Sequence, residues 1–341
     1  MAINEDRGRL TQLVFGQMAG QVVATAADLG LADLIGDGER SGTELAGKID
    51  ADPGAVTRLL RALAALGLLT ETTPDSFALT GMGTLLRSDG PDSLLEFVRM
   101  FSDPAMLAAW RELGSAVRTG HTTFDQVFGV SFFDHLAANP ELSARFNTSM
   151  RQATQLVASA LPASYHFGRF HTVLDIGGGD GTLLTAVLGA HPGLRGVVYD
   201  TASGLAQAGA TFQQTGLADR CTTTTGDFFT SVPGGADLYL IKSIVHDWND
   251  DQVNTILGHC RRVIPDNGRL LIIEPVLPEK VDGSVRPGLY LSDLNMLVNV
   301  GGRERTLVDF DLLCARAGFT LSDLRLLPGP SGFSLIEATP A

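Results

Sequence analysis

The rhythm of apolar positions changes once, near residue 170. Before it the period is helical: Leu13, Val14, Met18, Val22, Val23 and Ala26 recur at helical spacing, and Leu29, Leu31, Leu34 and Ile35 follow. Ser41, ahead of Thr43-Glu44-Leu45-Ala46, reads as the cap of a short helix. Asp52-Pro53 opens another, whose Leu59, Leu60, Leu63 and Leu66 share a face until Gly67 stops it. Leu68-Leu69 through Phe77-Ala78-Leu79 reads as a hairpin. Helix, turn, helix and small β-wing predict a winged-helix-like domain over residues 1–105. Helical spacing continues through 106–165, a connector rich in ring and soft side chains: Phe124, Phe128, Phe132, Phe133, His135, Phe146 and Met150. Taken singly each reads as core; as a group they suit the wall of a pocket for a flat ligand.

From 166 to the end, strands and helices alternate. Val173–Ile176 is a strand followed by a Gly-rich turn and a helix from Thr182 to Ala190. Further strands end at Asp200, Lys242 and Glu274 and lie near Leu321 and Phe333. Repeated β-α-β units predict an α/β domain with a mostly parallel sheet, which binds ligands at the carboxyl ends of its strands.

Composition narrows the choices. The 341 residues are 44% hydrophobic and 18% charged, a globular balance with room for two domains. The net charge of −13 is the wrong sign for a phosphate backbone. The winged-helix region itself holds eight Lys and Arg against fifteen Asp and Glu over residues 1–110, so no nucleic-acid partner is expected. Leu10 to Ala27 carries no charge, but Gln12, Gln17, Gln21, Thr11 and Thr25 interrupt it. That pattern predicts a buried, sticky helix and a homodimer through the N-terminal helices, with no membrane segment. Cys221, Cys260 and Cys314 are scattered and odd in number, which suits a reducing cytoplasm and neither a disulfide framework nor a zinc site.

The chemistry gathers at four strand ends. Asp175-Ile-Gly177-Gly-Gly179-Asp-Gly181 follows a strand and opens a helix. A dinucleotide loop wants its third glycine at the position of Thr182, so this D-x-G-x-G-x-G spacing instead resembles an S-adenosylmethionine loop. Asp200, about twenty residues on, is placed to accept from ribose hydroxyls. In Gly226-Asp227-Phe228-Phe229, Asp227 can accept from an adenine amino group while Phe228 covers a ring face. Lys242-Ser-Ile-Val-His246-Asp-Trp-Asn-Asp250 leaves a strand and enters a helix capped by Asn249 or Asp250, and sets His246 on the crevice side for proton transfer.

These motifs, with Gly301-Gly-Arg-Glu-Arg-Thr306, resemble the small-molecule O-methyltransferases that include plant caffeate and isoflavone enzymes and bacterial antibiotic-tailoring enzymes. The resemblance covers nearly the whole chain. It implies a class I methyltransferase fold, Rossmann-like with a mostly parallel seven-stranded sheet, behind a helical dimerisation domain. It implies S-adenosylmethionine as cofactor, S-adenosylhomocysteine as product and no metal. It further implies His246 as general base, Glu274 and Glu304 as its flanking acids, and Lys242 as a cofactor contact beside Asp175, Gly177, Gly179, Asp200, Asp227 and Phe228. Asp200 is followed by Thr201-Ala202 where the family has Leu-Pro, a departure at the adenosine rim. The expected substrate is a small aromatic bearing a hydroxyl, such as a phenol, quinone or polyketide intermediate. Its candidate contacts are Phe124, Phe133, Asn147, Met150, Asp293, Asn295, Met296 and Asn299, with Phe128 and Phe132 beside them. Two alternatives stay open: N-methylation, and a scaffold that binds the cofactor but hydroxylates or cyclises without methylating. The presence of His246, Glu274 and Glu304 together speaks against the non-methylating scaffold, whereas N-methylation would call on a similar base and stays open.

Overall fold

Capping side chains set the first helices. Ser41 Oγ accepts from Glu44 N at 3.1 Å while the Glu44 carboxylate accepts from Ser41 N at 2.9 Å. Asp52 Oδ1 accepts from Ala55 N at 2.7 Å, with Pro53 in the first turn of the helix Pro53–Ala65. The computed structural model describes residues 2–283, 285–329 and 331–341, and divides them into two compact units. The first is Met1–Leu107 with Ala144–Ala153; the second is Ala108–Ser143 with Thr154–Ala341. Residues 106–165 are thus shared between the two, and the helix Pro140–Ser164 contributes to both.

In the first unit, strands β1 (Glu39–Ser41), β2 (Leu69–Thr73) and β3 (Ser76–Leu79) form an antiparallel sheet in the order β1-β3-β2. Its core holds Leu31, Leu45, Leu60, Leu63 and Phe77. One expectation is corrected here. Leu66 lies in the helix's C-cap and is exposed, so the buried face is Val56, Leu60 and Leu63. The helix Ala2–Asp28 is buried only toward its end, at Ala24, Ala26 and Ala27, whereas Leu10, Leu13, Val14, Phe15 and Met18 are each more than half exposed. Among the described residues of a single chain nothing covers that stretch.

The second unit is built on one sheet: β4 (Thr172–Ile176), β5 (Arg195–Asp200), β6 (Cys221–Thr225), β7 (Leu238–Lys242), β8 (Arg269–Leu277), β9 (Arg305–Thr306), β10 (Phe319–Leu326) and β11 (Phe333–Pro340). The order is β10-β11-β8-β7-β4-β5-β6, with the two-residue β9 set beside the end of β8. The strands from β8 to β6 run parallel, and β10 and β11 close the sheet antiparallel. Helices cover both faces, so β7 and β8 read as unbroken apolar runs whose residues alternate between two cores. Leu238, Leu240, Leu271 and Ile273 meet the helix Thr182–Ala190 on one face. Tyr239, Ile241, Leu270 and Ile272 meet the helices Asp250–Val263 and Leu307–Arg316 on the other. All three cysteines lie in these cores, and burial pushes each thiol up to about 12. Among the described residues no helix is long and apolar enough to cross a membrane.

The connectivity reverses at β4, which pairs with β5 on one side and β7 on the other. A crevice opens at such a reversal, outside the carboxyl ends of the strands. The next residues after β4, β5, β7 and β8 therefore converge.

Candidate active site

The glycine run leaves β4 in a conformation that side chains resist. Gly177, Gly179 and Gly181 have φ of 67°, 57° and 78°. A Cβ on Gly177 would stand 2.4 Å from Ile244 Cδ1, whereas one on Gly179 would meet nothing within 4 Å. The first glycine is required by packing, the second by its backbone angle alone. Asp200, at the end of β5, holds the loop: its Oδ2 accepts from Gly179 N at 2.9 Å and its Oδ1 from Thr201 N at 2.6 Å. Asp175 lies beneath, 1% exposed, with Oδ2 lacking a hydrogen-bond partner among the described residues. Burial pushes its pKa up to about 7, against the pull of Lys242. Asp227 is exposed and accepts from Phe229 N at 2.8 Å; Phe228 lies half-buried against Phe229 and Trp248.

Lys242 closes β7. Its Nζ donates to Ser243 Oγ at 2.9 Å and Thr154 Oγ1 at 3.1 Å, and lies 5.1 Å from the centre of the Phe333 ring. Burial draws its pKa down, opposed by Glu274, Asp175 and Asp247. Ser243 then takes φ 53°, a left-handed conformation in a residue with a side chain. Such strain persists where the surroundings impose it. Here it turns the chain into the short 3-10 turn Val245–Asp247.

That turn carries His246. Its Nδ1 lies 3.1 Å from Glu304 Oε1 and 3.5 Å from Glu274 Oε2, and its Nε2 lies 3.6 Å from Asp247 Oδ1. Register explains the convergence: Lys242 pairs with Ile273, which sets Glu274 beside the turn, and Val276 pairs with Arg305, which brings Glu304 back to the same place. Glu274 Oε1 accepts from Ile244 N and Val245 N, both at 3.0 Å. Glu304 Oε1 also accepts from Ser292 Oγ at 2.8 Å, and Glu304 N donates to Asp293 Oδ1 at 2.9 Å. Burial opposes a charge on His246, yet Glu274, Asp247 and Glu304 outweigh it and raise its pKa to about 10. Burial raises Glu274 to about 7 and Asp247 to about 6 despite the neighbouring imidazole. One ligand-type atom from each of His246, Glu274 and Glu304 falls within 4.8 Å of the others, a spacing that also suits a cation.

The expected substrate contacts fall in several places. Phe133 stacks on Trp248 at 5.2 Å, and the buried Trp248 Nε1 has no acceptor among the described residues. Phe124 has no accessible surface; it packs among Phe128, Phe132 and His135. Asp293 supports the Glu304 backbone. Met296 is 8% exposed. Asn295 Oδ1 accepts from Trp110 Nε1 at 2.9 Å and from Asn299 Nδ2 at 2.8 Å, a buried polar link among helices of the second unit. Asn147 and Met150 lie in the stretch of the helix Pro140–Ser164 that belongs to the first unit. Residue patterns alone missed Ser292, Ser243 and Arg305. Arg305 is the largest fully buried side chain, yet Arg-Glu-Arg reads in sequence as a solvated loop.

A family model described as the O-methyltransferase domain matches residues 110–320, and one for the O-methyltransferase dimerisation domain matches residues 11–89. The chain is 48% identical over 334 residues to an O-demethylpuromycin-O-methyltransferase of Streptomyces alboniger, covering 97% of this chain and 89% of that one. It superposes on the mitomycin 7-O-methyltransferase with a TM-score of 0.90 at 32% identity, covering 100% of this chain and 99% of the other. It also matches an O-methyltransferase from neocarzinostatin biosynthesis, solved with S-adenosylmethionine and 2-hydroxy-5-methyl naphthoic acid, at a TM-score of 0.79 and 33% identity over 94% of this chain and 96% of that one. This chain belongs to the S-adenosylmethionine-dependent O-methyltransferases that carry an N-terminal dimerisation domain.

Proposed function

We propose that the enzyme methylates a hydroxyl on a small aromatic metabolite of natural-product biosynthesis, with His246 as general base. The observation that carries this reading is the imidazole held by Glu304 at Nδ1, with Nε2 free of any hydrogen-bond partner among the described residues. A proton fixed on Nδ1 by Glu304 leaves Nε2 as the basic nitrogen. Glu274, anchored by two backbone N–H groups, stabilises the imidazolium as it forms, as a triad acid does. A phenol has a pKa of about 10, so removal of its proton needs such help at neutral pH.

The site fits its donor. The glycine loop offers backbone without side chains, Asp175 keeps a buried oxygen without a partner among the described residues, and Lys242 and Asp200 both act on the Asp175 carboxyl. Gly177, Gly179, Asp200, Asp227, Phe228 and Lys242 are the residues assigned to hold it. When bound, S-adenosylmethionine supplies an electrophilic methyl on a sulfonium. His246 then has one task, to take the hydroxyl proton, and it yields its own resting proton more readily once positive charge enters the crevice. Phe133 and Met296 are assigned to the acceptor ring, with Phe124, Asn295 and Asn299 as the layer behind them. The neocarzinostatin relative, solved with a hydroxynaphthoic acid, supports a flat hydroxylated acceptor. The enzyme works as a homodimer through the exposed apolar helix at its N-terminus, and the charge balance speaks against a nucleic-acid partner.

The test is a mass-spectrometric assay with S-adenosylmethionine and a panel of phenols, hydroxyquinones and naphthoates. His246→Ala is expected to lower kcat by about 10²–10⁴-fold while donor binding is kept. A chelator arm is expected to change nothing. A methyl found on nitrogen, a hydroxylated or cyclised product without a methyl, or activity restored only by added divalent cation would each redirect the reading.

A further inference from the structure

Arg305 is 1% exposed and carries a permanent charge into the interior. A buried guanidinium is tolerated only when its five N–H groups find acceptors. All five do, and four of the five bonds reach one stretch of chain, Val245–Asp250. Nη1 donates to Val245 O at 2.6 Å and to Arg303 O at 3.3 Å. Nη2 donates to Trp248 O at 2.8 Å and Asp250 Oδ1 at 2.7 Å, and Nε donates to the same carboxylate oxygen at 3.1 Å. The turn Val245–Asp247 carries His246, so this one side chain holds the carbonyl that begins the turn and the carbonyl just past its end.

A second observation points the same way. A Cβ on Gly302 would fall 2.0 Å from His246 O, so the segment Gly302–Arg305 is pressed onto the backbone of the turn. Within that segment Glu304 holds the imidazole and Arg305 holds the main chain beneath it. The pairing of Arg305 with Val276 ties the same segment to β8, the strand of Glu274.

We propose that Arg305 is a positioning residue: it clamps the His246 turn at both ends and so sets where the imidazole stands relative to the reacting oxygen. The proposal rests on His246 being the base. Lysine cannot replace it, because a single ammonium cannot span two carbonyls and a carboxylate. Displacement of a catalytic group by about 1 Å costs on the order of 10²-fold in rate.

The experiment is a double-mutant cycle of Arg305→Lys with His246→Ala, read as kcat, KM for each substrate and donor affinity by calorimetry. Arg303→Ala is the control, since Arg303 also pairs with Asp250 but its side chain contacts no carbonyl of the turn. The expected result for Arg305→Lys is a kcat loss of about 10–10²-fold with KM and donor affinity within about twofold. In the His246→Ala background the same substitution is expected to change the residual rate by less than about twofold, because the clamp acts through the imidazole. An equal loss in both backgrounds overturns the clamp. Full activity of His246→Ala alone overturns the base instead, so the two failures are distinct. If Arg305→Lys does not fold, Gly302→Ala pushes the same turn with the buried charge left in place; its loss must likewise vanish without His246, and a loss that persists overturns the proposal.

Discussion

His246 sits among more negative charge than a base at neutral pH needs. Burial lowers its proton affinity, but Glu274, Asp247 and Glu304 raise it further, and the balance lies at about 10. Only the neutral ring accepts a proton, so kcat/KM is expected to climb with pH through the neutral range and level off only in alkali. Glu304→Gln removes one negative charge beside Nδ1 and so lowers that pKa. Its rising limb is expected at lower pH than the parent's, with a plateau reduced about tenfold or more because an amide orients the ring less firmly. A pH–rate series on both proteins checks the sign; a limb that stays in place would mean that another group titrates. Glu274 was reached through the family resemblance, and His246 was legible in the sequence because it stands just past an apolar run. Arg305 was not: its acceptors, Val245 O and Trp248 O, lie almost sixty residues upstream, and a charged tripeptide says nothing of carbonyls so remote.

At the level of elements, helices and long strands could be read from pattern and caps, and short strands could not. An N-cap at Asn249 or Asp250 was visible before a helical stripe, and the cap is Asn249, whose Oδ1 accepts from Gln252 N at 3.0 Å. β7 and β8 were visible because burial on both faces makes them uniformly apolar. β1 and β9 have three and two residues, too few for any period, and exist only because β3 and β8 offer partners. The loop after β4 has a consequence that can be measured. Gly177→Ala forces a Cβ to 2.4 Å from Ile244 at φ 67°, which costs about 1–3 kcal/mol unless Ile244 moves. Ile244 N is one of two donors on Glu274, so relief by movement disturbs the base as well. The variant is expected to lose thermal stability and donor affinity together in a melting and calorimetry series; loss of affinity at unchanged stability would mean that the loop is not strained.

On the scale of the whole molecule, the helix Ala2–Asp28 leaves a row of apolar side chains in water, with Leu13 at 78% and Leu10 at 63% exposure. A row of this kind is stable only when covered, and the matched dimerisation domain begins at residue 11. Leu13→Asp with Phe15→Asp is expected to convert a sedimenting dimer to a monomer at micromolar concentration, while an unchanged sedimentation coefficient would place the interface elsewhere. The three cysteines carry a different consequence. A thiol attacks as its thiolate, and Cys221, Cys260 and Cys314 are both out of reach and held protonated. The folded enzyme thus shields its thiols from thiol-directed alkylating reagents, and every thiol label it acquires marks a moment when the β-sheet domain came open. The rate of labelling is a built-in clock for that opening, readable on the natural chain without an engineered probe.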